Sequence, residues 1–206
     1  MSGVNLLSKL ADRRLSPWAV LLFLFVAPGV CAAQGGAAAG TPGRAGEAEF
    51  KVTTVFLVRH AEKANEPGPN PPLSDAGRAR AEALARLLQS AGVKAILTSQ
   101  FLRTQQTAEP AASRLGITPT AVTLTPKTSN PREVSEESIQ ELKRRVEAHA
   151  GGAVLVVGHS NSVPDVIRAL GGDVVPQIDE KVFDDLFVVT VHGAGRARVV
   201  HLKYGS

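Results

Sequence analysis

Two short aliphatic runs do most to limit what this chain can fold into. Val52 to Val58 and Ala153 to Val157 are rich in β-branched residues, and each is about the length of one buried strand. Both stop abruptly. The first runs out into Arg59, His60, Ala61, Glu62 and Lys63, and the second into Gly158, His159, Ser160, Asn161 and Ser162. In an open α/β sheet, ligands sit just beyond the carboxyl ends of the strands. Each run therefore carries an imidazole to the edge where a ligand would bind, and the first carries a guanidinium beside it.

The segments between these runs alternate helix and strand. Leu73 to Gly77 opens a helix with Ser74 as its N-cap; Ala83, Leu84, Leu87, Leu88 and Ala91 form its apolar face, and Gly92 closes it. Ala95 to Thr98 reads as a second strand. It leads into a helix from about Ser99, with Arg103 in its first turns and Pro110 expected to kink or split it before Gly116. A strand near Thr120 to Leu124 follows, then a polar loop to Arg132. The next helix starts at Ser135, points Ile139, Leu142 and Val146 inward and ends near His149, which is expected to cap carbonyls. After the second strand-end histidine, Pro164 lies in the first turn of another helix, and Val163, Val166, Ile167 and Leu170 are apolar. Leu186 to Val191 and Arg196 to Tyr204 pair as a hairpin, leaving His192 at its turn and His201 on a strand as structural residues. Four prolines between residues 67 and 72 make a stiff loop beside the first strand end.

Residues 1–33 read as a signal peptide. Lys9, Arg13 and Arg14 form a basic start, Trp18 to Val30 is apolar but short for a spanning helix, and small residues follow. Residues 34–48 are Gly/Ala-rich and read as a flexible linker, leaving residues 49–206 as one folded domain. The expected location is therefore exported, periplasmic or extracellular, with no membrane attachment after cleavage. Cys31 is the only cysteine, which excludes an internal disulfide framework and a cysteine-based metal site. A net charge of +4, without a Lys/Arg run or an aromatic platform, gives no sign of nucleic-acid binding.

Strand-end Arg59 and His60, helix-start Arg103 and strand-end His159 can converge on one crevice of a parallel sheet. Two guanidiniums and two imidazoles suit a compact dianion, because arginine forks match phosphate oxygens. No Gly-rich lysine loop, carboxylate cluster or zinc-like histidine spacing is present, so no cofactor and no metal is expected.

With these residues in view, the chain resembles the histidine phosphatase (phosphoglycerate mutase-like) superfamily across nearly all of residues 52–204, nearest its small secreted or SixA-like members. The matching motifs are Arg59-His60-Ala61, where the family has Gly at the third position, Leu73-Ser74 with Gly77, Ser99 with Arg103, Thr107 and Ala108, and the late His159. Ser160 stands where many members have Gly. The resemblance implies an α/β fold, a three-layer αβα sandwich around a mostly parallel central sheet. It also implies metal-independent hydrolysis of a phosphomonoester, from a small molecule or a phosphoprotein, through a phosphohistidine on His60. Arg59, Arg103 and His159 would hold the phosphoryl oxygens. For His60 to attack, a backbone carbonyl should hold its other ring N–H. Glu62 is the nearest candidate proton donor, with Glu133 and Asp165 as alternatives.

Two other readings compete. Gly158 to Ser162 nearly matches a Gly-x-Ser-x-Gly nucleophile elbow, which would make Ser160 a serine-hydrolase nucleophile served by Asp173 or Asp179 and His192 or His201. A phosphate-binding pseudo-phosphatase would keep the arginines and lose turnover. The sequence leaves the physiological substrate and the oligomeric state open.

Overall fold

The computed structural model describes residues 51–193 and 195–205; the expected signal peptide and linker lie outside the described residues. In chain order the elements are β1 (Thr53–Arg59), α1 (Asp75–Leu88), β2 (Val93–Ser99), α2 (Leu102–Leu115), β3 (Thr120–Val122), α3 (Glu136–Glu147), β4 (Ala153–Gly158), α4 (Ser162–Ala169), β5 (Asp185–His192) and β6 (Arg196–Lys203). Among the described residues they build one sheet in the order β3-β2-β4-β1-β5-β6. The first four strands of that order run parallel; β5 and β6 are antiparallel to their neighbours. The expected α/β class and mostly parallel centre are what the structure has.

Period-two alternation divides the strand side chains between two cores. Val55, Leu57, Val154 and Val156 pack with Leu142, Val146, Val166 and Ile167 of α3 and α4. Val58, Leu155 and Val157 face the other way, against Leu84, Leu88, Ala108 and Ala111 of α1 and α2. Helices therefore cover both faces; β4 is buried along its whole length, and β1 contributes side chains to both cores. Fully burying a valine or leucine contributes about 1.5–3 kcal/mol, so these two strands anchor both cores.

Ser74 is the N-cap of α1, its hydroxyl accepting from the Gly77 N–H. The apolar stripe differs from the expected one. Ala81, Leu84, Ala85 and Leu88 are buried, whereas Leu87 is 52% exposed. The reason lies at Gly77, where an added Cβ would sit 2.1 Å from the Glu62 carbonyl oxygen. That close approach sets the rotation of α1, and the Ser74 N–H and hydroxyl donate to the same carbonyl at 2.9 and 3.2 Å. The Leu-Ser-x-x-Gly motif thus docks α1 onto the exit of β1.

Three further details depart from the sequence reading. Helix α2 begins at Leu102 and leaves Ser99 as the last residue of β2. It also runs through Pro110 to Leu115 without a break, because Ala108, Ala111 and Ala112 are buried on either side of the proline and packing outweighs the lost N–H. At the end of α3 the His149 backbone N–H donates to Val146 O at 2.9 Å, so the main chain and not the ring serves the carbonyl. Substituting Gly77→Ala should cost on the order of 1–3 kcal/mol in urea denaturation, because α1 must lift off the Glu62 carbonyl; an unchanged midpoint would contradict this docking.

Candidate active site

The register of β1 and β4 determines where the two histidines stand. Arg59 lies beside Gly158, so His60 and His159 are the next residue on each strand. The His60 N–H continues the ladder, donating to Gly158 O at 2.9 Å. The imidazole centroids are 5.4 Å apart at 64°. Both rings are more than nine-tenths buried. They line a cavity of about 350 Å³ together with Arg59, Arg103, Lys63, Glu133, Ser160 and Glu180.

Each ring is held at one nitrogen. His60 Nδ1 lies 2.8 Å from Ala61 O, an acceptor only, so Nδ1 carries the proton and Nε2 keeps a free lone pair. This is the carbonyl bond expected from the sequence. His159 Nε2 lies 2.9 Å from Ser99 Oγ, which is itself 2.9 Å from Thr104 Oγ1. The strand exit is pinned as well, because the Ala61 N–H donates to Thr107 Oγ1 at 2.9 Å. The Ser99, Arg103 and Thr107 motif is thereby resolved into parts: Ser99 steadies His159, Thr107 steadies Ala61, and Arg103 faces the cavity.

Arg59 is 2% exposed and wrapped by one loop. Its Nη1 donates to Asp179 O at 2.8 Å and Val182 O at 3.1 Å, and its Nη2 donates to Glu180 Oε2 at 2.6 Å. The Phe183 ring lies 4.3 Å beneath the guanidinium carbon. Nε, however, is buried without a hydrogen-bond partner. Arg103, the second residue of α2, lies over the Phe101 ring at 4.4 Å. The first backbone N–H of α2, that of Leu102, is capped by Asn70 Oδ1 of the proline-rich loop at 2.8 Å, so this loop braces the helix that presents Arg103.

Burial is the main cause that lowers the His60 pKa to about 4, helped by the Arg103, Arg59 and Lys63 charges. Burial likewise leads the lowering of His159 to about 3, with His60 and the two arginines adding to it. Both rings are neutral at pH 7. Burial also lowers the Arg103 pKa, and the Arg59 charge adds to the effect. Two cations facing one small cavity are stabilised by an anion between them.

The four residues Arg59, His60, Arg103 and His159 are brought together; Glu62 is not. Its carboxylate turns away from the cavity into an ion pair with Arg80, with Arg80 Nε 3.0 Å from both oxygens and Nη2 2.8 Å from Oε1. The Arg80 hydrogen bond and charge hold Glu62 below the usual carboxylate range against the effect of burial. The structure thus places the Glu62 carboxylate outside the cavity wall, on a partner one helix away that sequence proximity to His60 did not reveal. Asp165 pairs with Arg168 on α4 and is not in the cavity wall, whereas Glu133 is. Ser160 offers no nucleophile elbow. Its hydroxyl donates to Glu180 Oε1 at 2.6 Å, and His201 is occupied by Asp185 at 2.6 Å. Glu180 and Phe183, which the sequence reading missed, come from a loop with no periodic pattern or motif to flag them.

Paired imidazoles and arginines at the carboxyl ends of two parallel strands suit a compact oxyanion. A family model described as the histidine phosphatase superfamily (branch 1) matches residues 55–127. Over that stretch the chain is similar to that superfamily. Solved structures with the same fold include the protein histidine phosphatase SixA complexed with tungstate, at 21% identity and TM-score 0.55, covering 74% of this chain and 96% of that one. A mycobacterial glucosyl-3-phosphoglycerate phosphatase is 15% identical with TM-score 0.55, covering 76% and 100%. A phosphoglycerate mutase from Bacillus anthracis is 15% identical with TM-score 0.59, covering 74% and 93%. No curated protein sequence matches the chain.

Two outcomes follow from this geometry. Glu62→Gln should lower stability by about 1 kcal/mol and leave kcat within about twofold; a large kcat loss at unchanged stability would return Glu62 to the reaction. Because the folded-state pKa values of both histidines lie below 6.5, the unfolded chain binds more protons as pH falls. Thermal stability should thus decrease from about pH 6.5 toward pH 4, and ring ¹⁵N shifts of His60 and His159 should not change between pH 5.5 and 8. A midpoint near 6.5 for either ring would contradict the assignment.

Proposed function

We propose that this protein is a phosphatase of the histidine phosphatase type, a metal-independent phosphomonoester hydrolase working through a phosphohistidine on His60. The observation that carries the reading is the Nδ1–H bond to Ala61 O, which leaves Nε2 as a lone-pair donor in a ring that stays neutral. In the first step the Nε2–P bond forms as the ester P–O bond breaks, and the leaving oxygen takes up a proton. In the second, water attacks phosphorus, the P–N bond breaks, and phosphate and neutral His60 are released. Arg103 and the unpartnered Arg59 Nε supply cationic donors to the equatorial oxygens. His159 serves as a donor through Nδ1 when Ser99 Oγ–H donates to its Nε2. Glu133 of the cavity wall is held below the usual carboxylate range by Lys127 Nζ at 2.6 Å and Asn130 Nδ2 at 2.8 Å, as Glu62 is by Arg80. We therefore assign the proton of the leaving oxygen to solvent water and not to either carboxylate.

The cavity of about 350 Å³ fits a phosphoryl group with a compact leaving group, or a phosphorylated side chain entering from a protein. Similar folds named for a protein histidine phosphatase and for a sugar-phosphate phosphatase are in keeping with either. We also propose that residues 1–33 direct export and are removed; the mass of the mature chain isolated from outside the cytoplasm would then begin after about residue 33.

Hydrolysis of p-nitrophenyl phosphate should proceed unchanged in EDTA. His60→Ala should lower kcat on the order of 10⁴-fold or more, and Arg103→Ala on the order of 10²- to 10³-fold. Full activity in His60→Ala would overturn the reading, and retained phosphate binding without turnover in the wild-type chain would favour a pseudo-phosphatase.

A further inference from the structure

Glu180 is a carboxylate placed where a phosphate-binding site has least use for one. One oxygen takes Arg59 Nη2 at 2.6 Å and the other takes the Ser160 hydroxyl at 2.6 Å. It thus bridges the exits of β1 and β4, on the wall of the cavity that holds His60, His159 and Arg103. An oxyanion entering that cavity wants the same kinds of donor, a guanidinium N–H and a hydroxyl.

Two further observations separate this carboxylate from the rest of its loop. The Arg59 position is already set without it, by the Asp179 and Val182 carbonyls on Nη1 and by the Phe183 ring. Those carbonyls occupy both N–H groups of Nη1, so Nε–H and Nη2–H are the donors left for a ligand. Nε is buried with no partner, while one N–H of Nη2 is taken by Glu180. The Glu180 side chain is 72% exposed, against 3% for Arg59, so it can swing toward solvent while the guanidinium stays fixed.

We propose that Glu180 is an affinity-setting residue, an internal anion that holds Arg59 Nη2 and Ser160 Oγ at rest and is displaced when a phosphoryl group binds. This rests on the reading of the cavity as a phosphoryl site. Its consequence is weaker ground-state binding of every oxyanion, the inorganic phosphate product included, because each must displace a carboxylate or accept its charge nearby. Ser160 belongs to the same device: a glycine there would leave the carboxylate a single anchor. The structure thereby gives a physical role to the serine after the second histidine.

The test is binding of inorganic phosphate to the purified protein by calorimetry, and its inhibition constant in steady-state hydrolysis, for wild type, Glu180→Gln and Arg103→Ala. Glu180→Gln keeps the side-chain size and removes the charge. It should bind phosphate on the order of tenfold more tightly, with KM falling in parallel and kcat not increased. Phosphate binding that weakens, with KM rising, would show that the carboxylate positions Arg59 and would overturn the proposal. Unchanged binding in a folded variant would overturn it equally. Arg103→Ala separates the two levels of the argument. If it abolishes phosphate binding while Glu180→Gln leaves binding unchanged, the phosphoryl site stands and the Glu180 role fails. If Arg103→Ala has no effect on binding, the site reading itself fails.

Discussion

Everything at the site depends on the parallel pairing of β1 with β4, in a register that sets Arg59 beside Gly158. Both strands leave the sheet at the same level, so residues about a hundred positions apart become neighbours with no side chain selecting the other. The bond from the His60 N–H to Gly158 O extends that pairing one step past the strand. A shift of one residue would turn an imidazole to the opposite face, since side chains alternate along a strand. The two aliphatic cores prevent such a shift, because they bury opposite faces of the same strands.

Given that frame, the chemistry is set by backbone groups as much as by side chains. Ala61 O fixes the His60 tautomer, Asp179 O and Val182 O fix the Arg59 orientation, and Glu62 O receives the start of α1. Carbonyls of this kind are held by the fold and cost no reorganisation during a reaction. On the proposed reading, the side chains facing the cavity have one function each: a neutral nucleophile at His60, cationic donors at Arg59 and Arg103, and a second neutral ring at His159.

How much of this could be read beforehand follows from the range of the interactions. Strand ends, helix caps at Ser74 and Ser135 and the inward faces of α3 and α4 are local, and the residue pattern showed them. The convergence of Arg59, His60, Arg103 and His159 was legible because each sits at the end of a strand or the start of a helix, places with few alternative geometries. The pairing of Glu62 was not legible because its partner Arg80 lies across a helix docking that only the Gly77 contact reveals. Leu87 was placed in the core by spacing alone, while the same docking rotates it into solvent. Glu180 was invisible for a stronger reason. It lies 121 positions from Arg59, in a loop whose path depends on where β5 joins the sheet.

The central claim is that the Nε2 lone pair of His60 is the atom that attacks phosphorus. Rapid quenching of the wild-type enzyme during turnover of a ³²P-labelled monoester, followed by peptide mapping, tests it most directly. The account predicts an acid-labile, alkali-stable label on Nε2 of His60. A label on Nδ1 of that ring, on His159 or on Ser160 would contradict it.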